Sequence, residues 1–147
     1  MNDGSFGKIL MPLMPEYIGY ADQTISPDAF VSCRPGINEY APNMFKYQVD
    51  FDRIDMSGVN AIAASRPTNP TGNVLTDEEV DRLSSLALEH DIPLLLDNAY
   101  GLPFPGIIFE DVKPVWNENV VLSMSLSKIG LPATRTGIIV ASEAMIE

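Results

Sequence analysis

A chain of 147 residues is long enough for one domain with a hydrophobic core and too short for two of ordinary size. Its 46% hydrophobic content describes a globular protein, and a formal charge of −11 (9 basic against 20 acidic residues) with no basic cluster argues against nucleic acid and anionic membrane surfaces as partners. The single cysteine, Cys33, leaves no internal disulfide and suits a reducing compartment; with His90 the single histidine, no metal site is expected. No apolar run approaches the roughly eighteen residues of a membrane span, and the first residues lack a basic leader and a small-residue cleavage site. A cytoplasmic protein is therefore expected.

Taken in chain order, residues 8–13 read as a short buried strand ended by Pro15, and residues 29–33 as a weaker strand before a Pro35-Gly36 turn. Residues 34–48 show no usable periodicity and receive no element. Residues 59–65 form an apolar run with small residues, which predicts a strand buried on both faces. A helix is predicted over residues 77–90. Thr76 and Glu79 have capping-box spacing, and Val80, Leu83, Leu86 and Ala87 share one face. Strands follow at 92–96, 120–124 and 137–141. Strand, helix and strand in this order predict a three-layer α/β/α fold with a mostly parallel sheet and no internal repeat.

Polar residues fall just beyond the C-terminal ends of these strands: Asn69, Asp97, and the run from Ser125 to Lys128. That edge is where open α/β sheets bind ligands. Singly, each segment has an ordinary reading. Asn69-Pro70-Thr71-Gly72 makes a turn, Asp97 caps a loop, Ser125 starts a helix, and Lys128 and Arg135 are solvated cations. Tyr17 and Tyr100 are rim or core aromatics. Together they supply the groups that an electron-sink cofactor needs: an amine for a Schiff base, a carboxylate for a ring nitrogen, donors for a phenolic oxygen, and serine and arginine for a phosphate.

In Asn69-Pro70-Thr71-Gly72, Asp97-Asn98-Ala99-Tyr100, Ser125-Leu126-Ser127-Lys128 and Arg135-Thr136-Gly137, by order and separation, the chain resembles the fold-type-I pyridoxal-phosphate aminotransferases. Three longer stretches (15–20, 65–73 and 97–109) are similar to the valine–pyruvate branch of that family. The resemblance implies pyridoxal 5'-phosphate as cofactor, bound as a Schiff base to Lys128, which also moves the substrate α-proton. It implies that Asp97 pairs with the ring nitrogen and that Asn69 and Tyr100 contact the phenolic oxygen. Ser125, Ser127 and Arg135 would hold the phosphate, and Tyr17 would stack on the ring. It further implies ping-pong transamination between valine- or alanine-type amino acids and 2-oxo acids such as pyruvate, by a cytoplasmic homodimer.

The sequence departs from the family at Pro132-Ala133, where a Pro-Gly turn is usual. A positive φ there would strain Ala133 by about 1 kcal/mol. Members of the family are several hundred residues long. Residues 1–147 are accordingly expected to be part of the cofactor-binding large domain, without the glycine-containing phosphate loop that precedes the first strand and without the C-terminal small domain. That domain brings the arginine for the substrate carboxylate, and only Arg34 and Arg66 stand as possible substitutes here. The isolated chain is thus expected to be inactive. The alternatives are a non-catalytic fragment and an aminotransferase-like regulatory module that binds the cofactor.

Overall fold

The computed structural model describes residues 7–23, 26 and 28–146. Its strands are β1 (Lys8–Met11), β2 (Phe30–Ser32), β3 (Gly36–Ala41), β4 (Met44–Gln48), β5 (Val59–Ser65), β6 (Leu94–Asp97), β7 (Val120–Ser125) and β8 (Gly137–Val140), with helices α1 (Asp77–Glu89) and α2 (Glu143–Ile146). Six strands make one sheet in the order β2-β1-β5-β6-β7-β8, parallel except for the antiparallel edge strand β8. This is the mostly parallel α/β sheet expected, with α1 as a flanking layer packed over β5 and β6.

Proline trims two of the expected strands. β1 ends at Met11 because Pro12 has no N–H to continue the ladder, and β6 starts at Leu94, after Pro93. Burial alternates along β6 and β7, so these strands do not bury both faces alike. Ile62, Ala64, Leu94, Leu96, Val120 and Leu122 join Val80, Leu83 and Ala87 of α1 in the core. Fully burying a side chain such as Leu83 or Leu94 stabilises the fold by about 2 kcal/mol. Because side chains alternate, Ser65, Asp97, Ser123 and Ser125 lie on the opposite face, at the C-terminal edge. The register aligns Ser65 with Asp97 and Asp97 with Ser123, so three neighbouring strands deliver polar groups to one place.

The stretch left without an element is an antiparallel hairpin, β3–β4, turning at Asn43 with φ 62°. Ile37, Tyr40, Met44 and Phe45 are exposed on it, so it carries no inside-outside alternation to read. α1 begins as expected. Thr76 Oγ1 accepts from Glu79 N–H (3.1 Å), and Glu79 Oε2 accepts from Thr76 N–H (2.9 Å). Glu79 Oε1 also accepts from the buried Val49 N–H at 2.9 Å, tying the segment after the hairpin to the helix. Thr76→Ala should therefore cost about 1 kcal/mol in urea unfolding. Glu79→Ala should cost about 2 kcal/mol, because it orphans a buried donor besides losing a cap.

Candidate active site

Beyond the C-terminal edge lies a cavity of about 340 Å³, the size of a small-molecule site. Tyr17, Asn69, Asp97, Tyr100, Ser125, Ser127, Lys128 and Arg135 all line it, together with Ser65, Pro67, Ala99, Thr136 and Gly137. The sequence-predicted site residues are thus brought together from four separate segments.

Each is positioned by the backbone that carries it. Asp97 ends β6, and its Oδ1 accepts from the Ala99 N–H (3.0 Å) and the Ser123 hydroxyl (3.5 Å). Its Oδ2 accepts from the Tyr20 hydroxyl at 2.8 Å. Both oxygens are held, which fixes the plane of the carboxylate. Tyr100 follows in a loop that passes close beneath Arg66. A Cβ at Gly101 would overlap the Arg66 carbonyl oxygen and the Asn98 side chain, so only glycine allows the approach. The Asn98 amide in turn donates to the Leu102 carbonyl.

Ser125 closes β7, where its Oγ accepts from Ser127 N–H at 3.3 Å. That bond occupies one oxygen lone pair and leaves the hydroxyl proton free to donate into the cavity. A one-turn 3-10 helix over Leu126–Ile129 then carries Lys128, whose Nζ sits 4.6 Å from the centre of the Tyr100 ring. This is cation–π range, and it draws the exposed ammonium across the cavity instead of into bulk water. The segment turns back at Gly130, with φ 93°.

The predicted strain at Ala133 is absent. Residues Pro132–Thr134 form a 3-10 turn, and the positive φ falls on Gly130 and on Arg135, at 48°. The left-handed geometry therefore belongs to the arginine that faces the cavity. A non-glycine residue held this way marks a position fixed by its surroundings. Register places Gly137 opposite Ser125 in the β7–β8 pair, which fixes Arg135 beside the serine run.

Arg66 is not available to a substrate. It is buried, and its guanidinium donates to the Leu75 carbonyl (2.7 Å), the Lys113 carbonyl (3.1 Å) and Asp77 Oδ1 (2.6 Å). It ties the loop after β5 to the start of α1 and to the segment before β7. The same contact holds the Asp77 carboxyl below the usual carboxylate range. Arg34 also lies outside the residues lining the cavity.

Sequence reasoning missed the support on the far side of Asp97. Tyr20 lies in the 3-10 segment Ile18–Gln23, edge-on to Tyr17 at 5.8 Å between ring centres. Its hydroxyl also lies 3.0 Å from Ser65 Oγ. Buried Glu16 accepts from Ser65 N–H (2.9 Å) and Tyr17 N–H (3.3 Å). Burial, with the nearby Asp97, pushes the Glu16 carboxyl up despite these donors. Burial and Asp97 likewise push the Tyr20 hydroxyl up, which keeps it a donor. The sequence signal was the family-like stretch 15–20, which holds Glu16 and Tyr20 but gave neither a role.

The chain matches the family of class I and II aminotransferases over residues 31–147. It is 57% identical over 145 residues to the valine–pyruvate aminotransferase of Escherichia coli K12, covering 98% of this chain and 35% of that protein. The crystal structure of valine-pyruvate aminotransferase AvtA from Salmonella typhimurium LT2 superposes with a TM-score of 0.88 at 55% identity, over 95% of this chain and 35% of that one. Aromatic-amino-acid aminotransferase 2 of Thermococcus litoralis is 30% identical over 95 residues, 63% of this chain and 23% of that protein. The chain thus spans about a third of the length of the valine–pyruvate enzymes it matches. It belongs to the class I and II aminotransferases, with the α/β fold of that family's large domain.

Proposed function

We propose that this chain forms the cofactor-binding part of the large domain of a pyridoxal-phosphate aminotransferase that moves an amino group between valine- or alanine-type amino acids and 2-oxo acids such as pyruvate. One observation carries the reading: a lysine, a doubly held carboxylate and a serine–arginine pair converge on a single cavity of cofactor size. When bound, pyridoxal phosphate supplies an electron sink for the bonds at a substrate α-carbon.

The chain's own groups divide the work by chemistry. Lys128 would provide the amine that holds the cofactor and a base able to move a proton at a substrate α-carbon. The Asp97 carboxylate, aimed by three donors, would pair with the ring nitrogen and favour a proton on it. Asn69 and Tyr100 offer donors to the phenolic oxygen. The Arg135 guanidinium and the free Ser125 hydroxyl proton suit a phosphate dianion, with Ser127 beside them. Tyr17, which lines the cavity, would cover one face of the ring and exclude water from it.

Among the described residues Lys128 and Arg135 are the cations that line the cavity. With both committed to the cofactor, a substrate carboxylate needs a cation from elsewhere, as a second domain or a second subunit of a homodimer would bring. The test is alanine formation from valine and pyruvate with added pyridoxal phosphate. The protein of the relatives' full length should turn over, and the isolated 147-residue chain should stay at background. Turnover by the isolated chain would contradict the assignment of the carboxylate site to another part. Failure by the longer protein with every amino donor would remove the transaminase reading.

A further inference from the structure

The two carboxylate oxygens of Asp97 are not equivalent. Oδ1 accepts from the Ala99 N–H (3.0 Å) and the Ser123 hydroxyl (3.5 Å), one donor for each of its lone pairs. Among the described residues one donor reaches Oδ2, the Tyr20 hydroxyl at 2.8 Å. Oδ2 therefore keeps a lone pair for a further donor, and Asp97 is half-buried and lines the cavity.

The donors behind Oδ2 have a fixed order. The phenolic proton of Tyr20 lies in the bond to Asp97, so it is not available to Ser65, whose Oγ is 3.0 Å from Tyr20 Oη. Ser65 is buried, and two lone pairs set against each other there would be costly. The Ser65 hydroxyl must then donate to Tyr20, and a phenol that accepts one hydrogen bond donates the next more strongly. Ser65 also lines the cavity, but its single proton is turned to Tyr20, in contrast to the free proton of Ser125.

Both residues are held where this needs them. The parallel register of β5 and β6 sets Ser65 level with Asp97, and the Ser65 N–H donates to Glu16 Oε1 at 2.9 Å. The Tyr20 ring packs edge-on against Tyr17, which itself lines the cavity.

We propose that Tyr20 is a positioning residue with Ser65 behind it: Ser65 donates to Tyr20, Tyr20 donates to Asp97 Oδ2, and Oδ2 is the oxygen left to face the ring nitrogen. The last step rests on the function proposed above; the order of donors does not.

The order of donors is read by NMR on the cofactor-free protein that carries this chain, isotope-labelled at the aspartate carboxyl carbons. The Asp97 resonance is the one lost in Asp97→Asn. Tyr20→Phe should displace it, and Ser65→Ala should displace it in the same direction by less. In the Tyr20→Phe background, Ser65→Ala should add nothing, because its effect passes through the phenol. An equal Ser65→Ala effect in both backgrounds, or an unmoved resonance in Tyr20→Phe, would overturn the proposal.

Pyridoxal-phosphate affinity is the second readout. Tyr20→Phe should weaken it about tenfold, as losing a hydrogen bond to a charged group does, and the double variant should be no weaker than Tyr20→Phe alone. A further loss in the double variant would mean that Ser65 acts on the ligand directly, against the proposal. Ser123→Ala, at the other oxygen, is the comparison for Oδ2. With the cofactor isotope-labelled at its ring nitrogen, that resonance should move further in Tyr20→Phe than in Ser123→Ala, and an equal or smaller shift would overturn the assignment of Oδ2. If Ser65→Ala does not fold, the comparison of Tyr20→Phe with Ser123→Ala decides. If pyridoxal phosphate binds no form of the protein, the proposed function fails while the aspartate resonance still reports the order of donors.

Discussion

Replacing Lys128 with alanine should lower transamination by about 10³-fold or more in the protein that carries this chain, since the variant loses both the covalent anchor and the proton-transferring base. The loss should fall on kcat more than on KM, because substrate contacts are made by other groups. Lys128 is exposed on a 3-10 turn and, among the described residues, makes no hydrogen bond or ion pair, only the contact with the Tyr100 ring. Unfolding by urea should therefore be nearly unchanged. That combination separates a chemical role from a structural one. Lys128→Ala with activity within a few-fold of wild type would leave the site without its nucleophile.

The second large effect is expected at Asp97. Asp97→Asn keeps the size and most of the hydrogen-bonding positions of the side chain but removes the negative charge that the proposed function sets against the ring nitrogen. Activity should fall by about 10²–10³-fold, the scale on which a preorganised electrostatic partner contributes. Asp97→Ala should go further, because it also takes one partner from the Tyr20 hydroxyl and strands the Ala99 N–H, and it should lower stability by about 1–3 kcal/mol. Steady-state kinetics and urea titration on the two variants separate charge from scaffold. Equal activity in wild type and Asp97→Asn would show that the carboxylate does not control the ring.

The parts of this fold that were legible in the sequence are those governed by local rules. The capping box of Thr76 and Glu79 is a three-residue relation and was readable, as were the apolar face of α1 and the strand-end positions of Asn69, Asp97 and Ser125. Proline explains most of the misplaced boundaries: Pro12 and Pro93 each removed a donor that a periodicity argument had assumed. The β3–β4 hairpin stayed hidden because its large side chains face solvent and leave no alternation. The expected strain at Ala133 was misassigned for a different reason. A Pro-Ala pair says nothing about where the left-handed residue lies, and the chain turns at Gly130 and Arg135 instead.

The support beneath the site was not legible at all. Tyr20 meets Asp97 across 77 positions, and Glu16 meets Ser65 across 49. No spacing rule connects such pairs; only the parallel register of β5 and β6 brings Ser65 level with Asp97. Arg66 shows the converse. As a residue type it suited a carboxylate ligand, yet its partners Leu75, Asp77 and Lys113 use the guanidinium to tie three segments together. A buried arginine with all three guanidinium nitrogens hydrogen-bonded is scaffold, and its identity alone could not reveal that.

The central claim is that Lys128 is the residue that carries the cofactor. It is tested most directly by loading the protein that carries this chain with pyridoxal phosphate, reducing it with borohydride and mapping the modified peptide. The label is expected on Lys128 alone, even though Lys8, Lys46 and Lys113 are also present. A label on any of those three, or none on Lys128 after loading, would contradict the account.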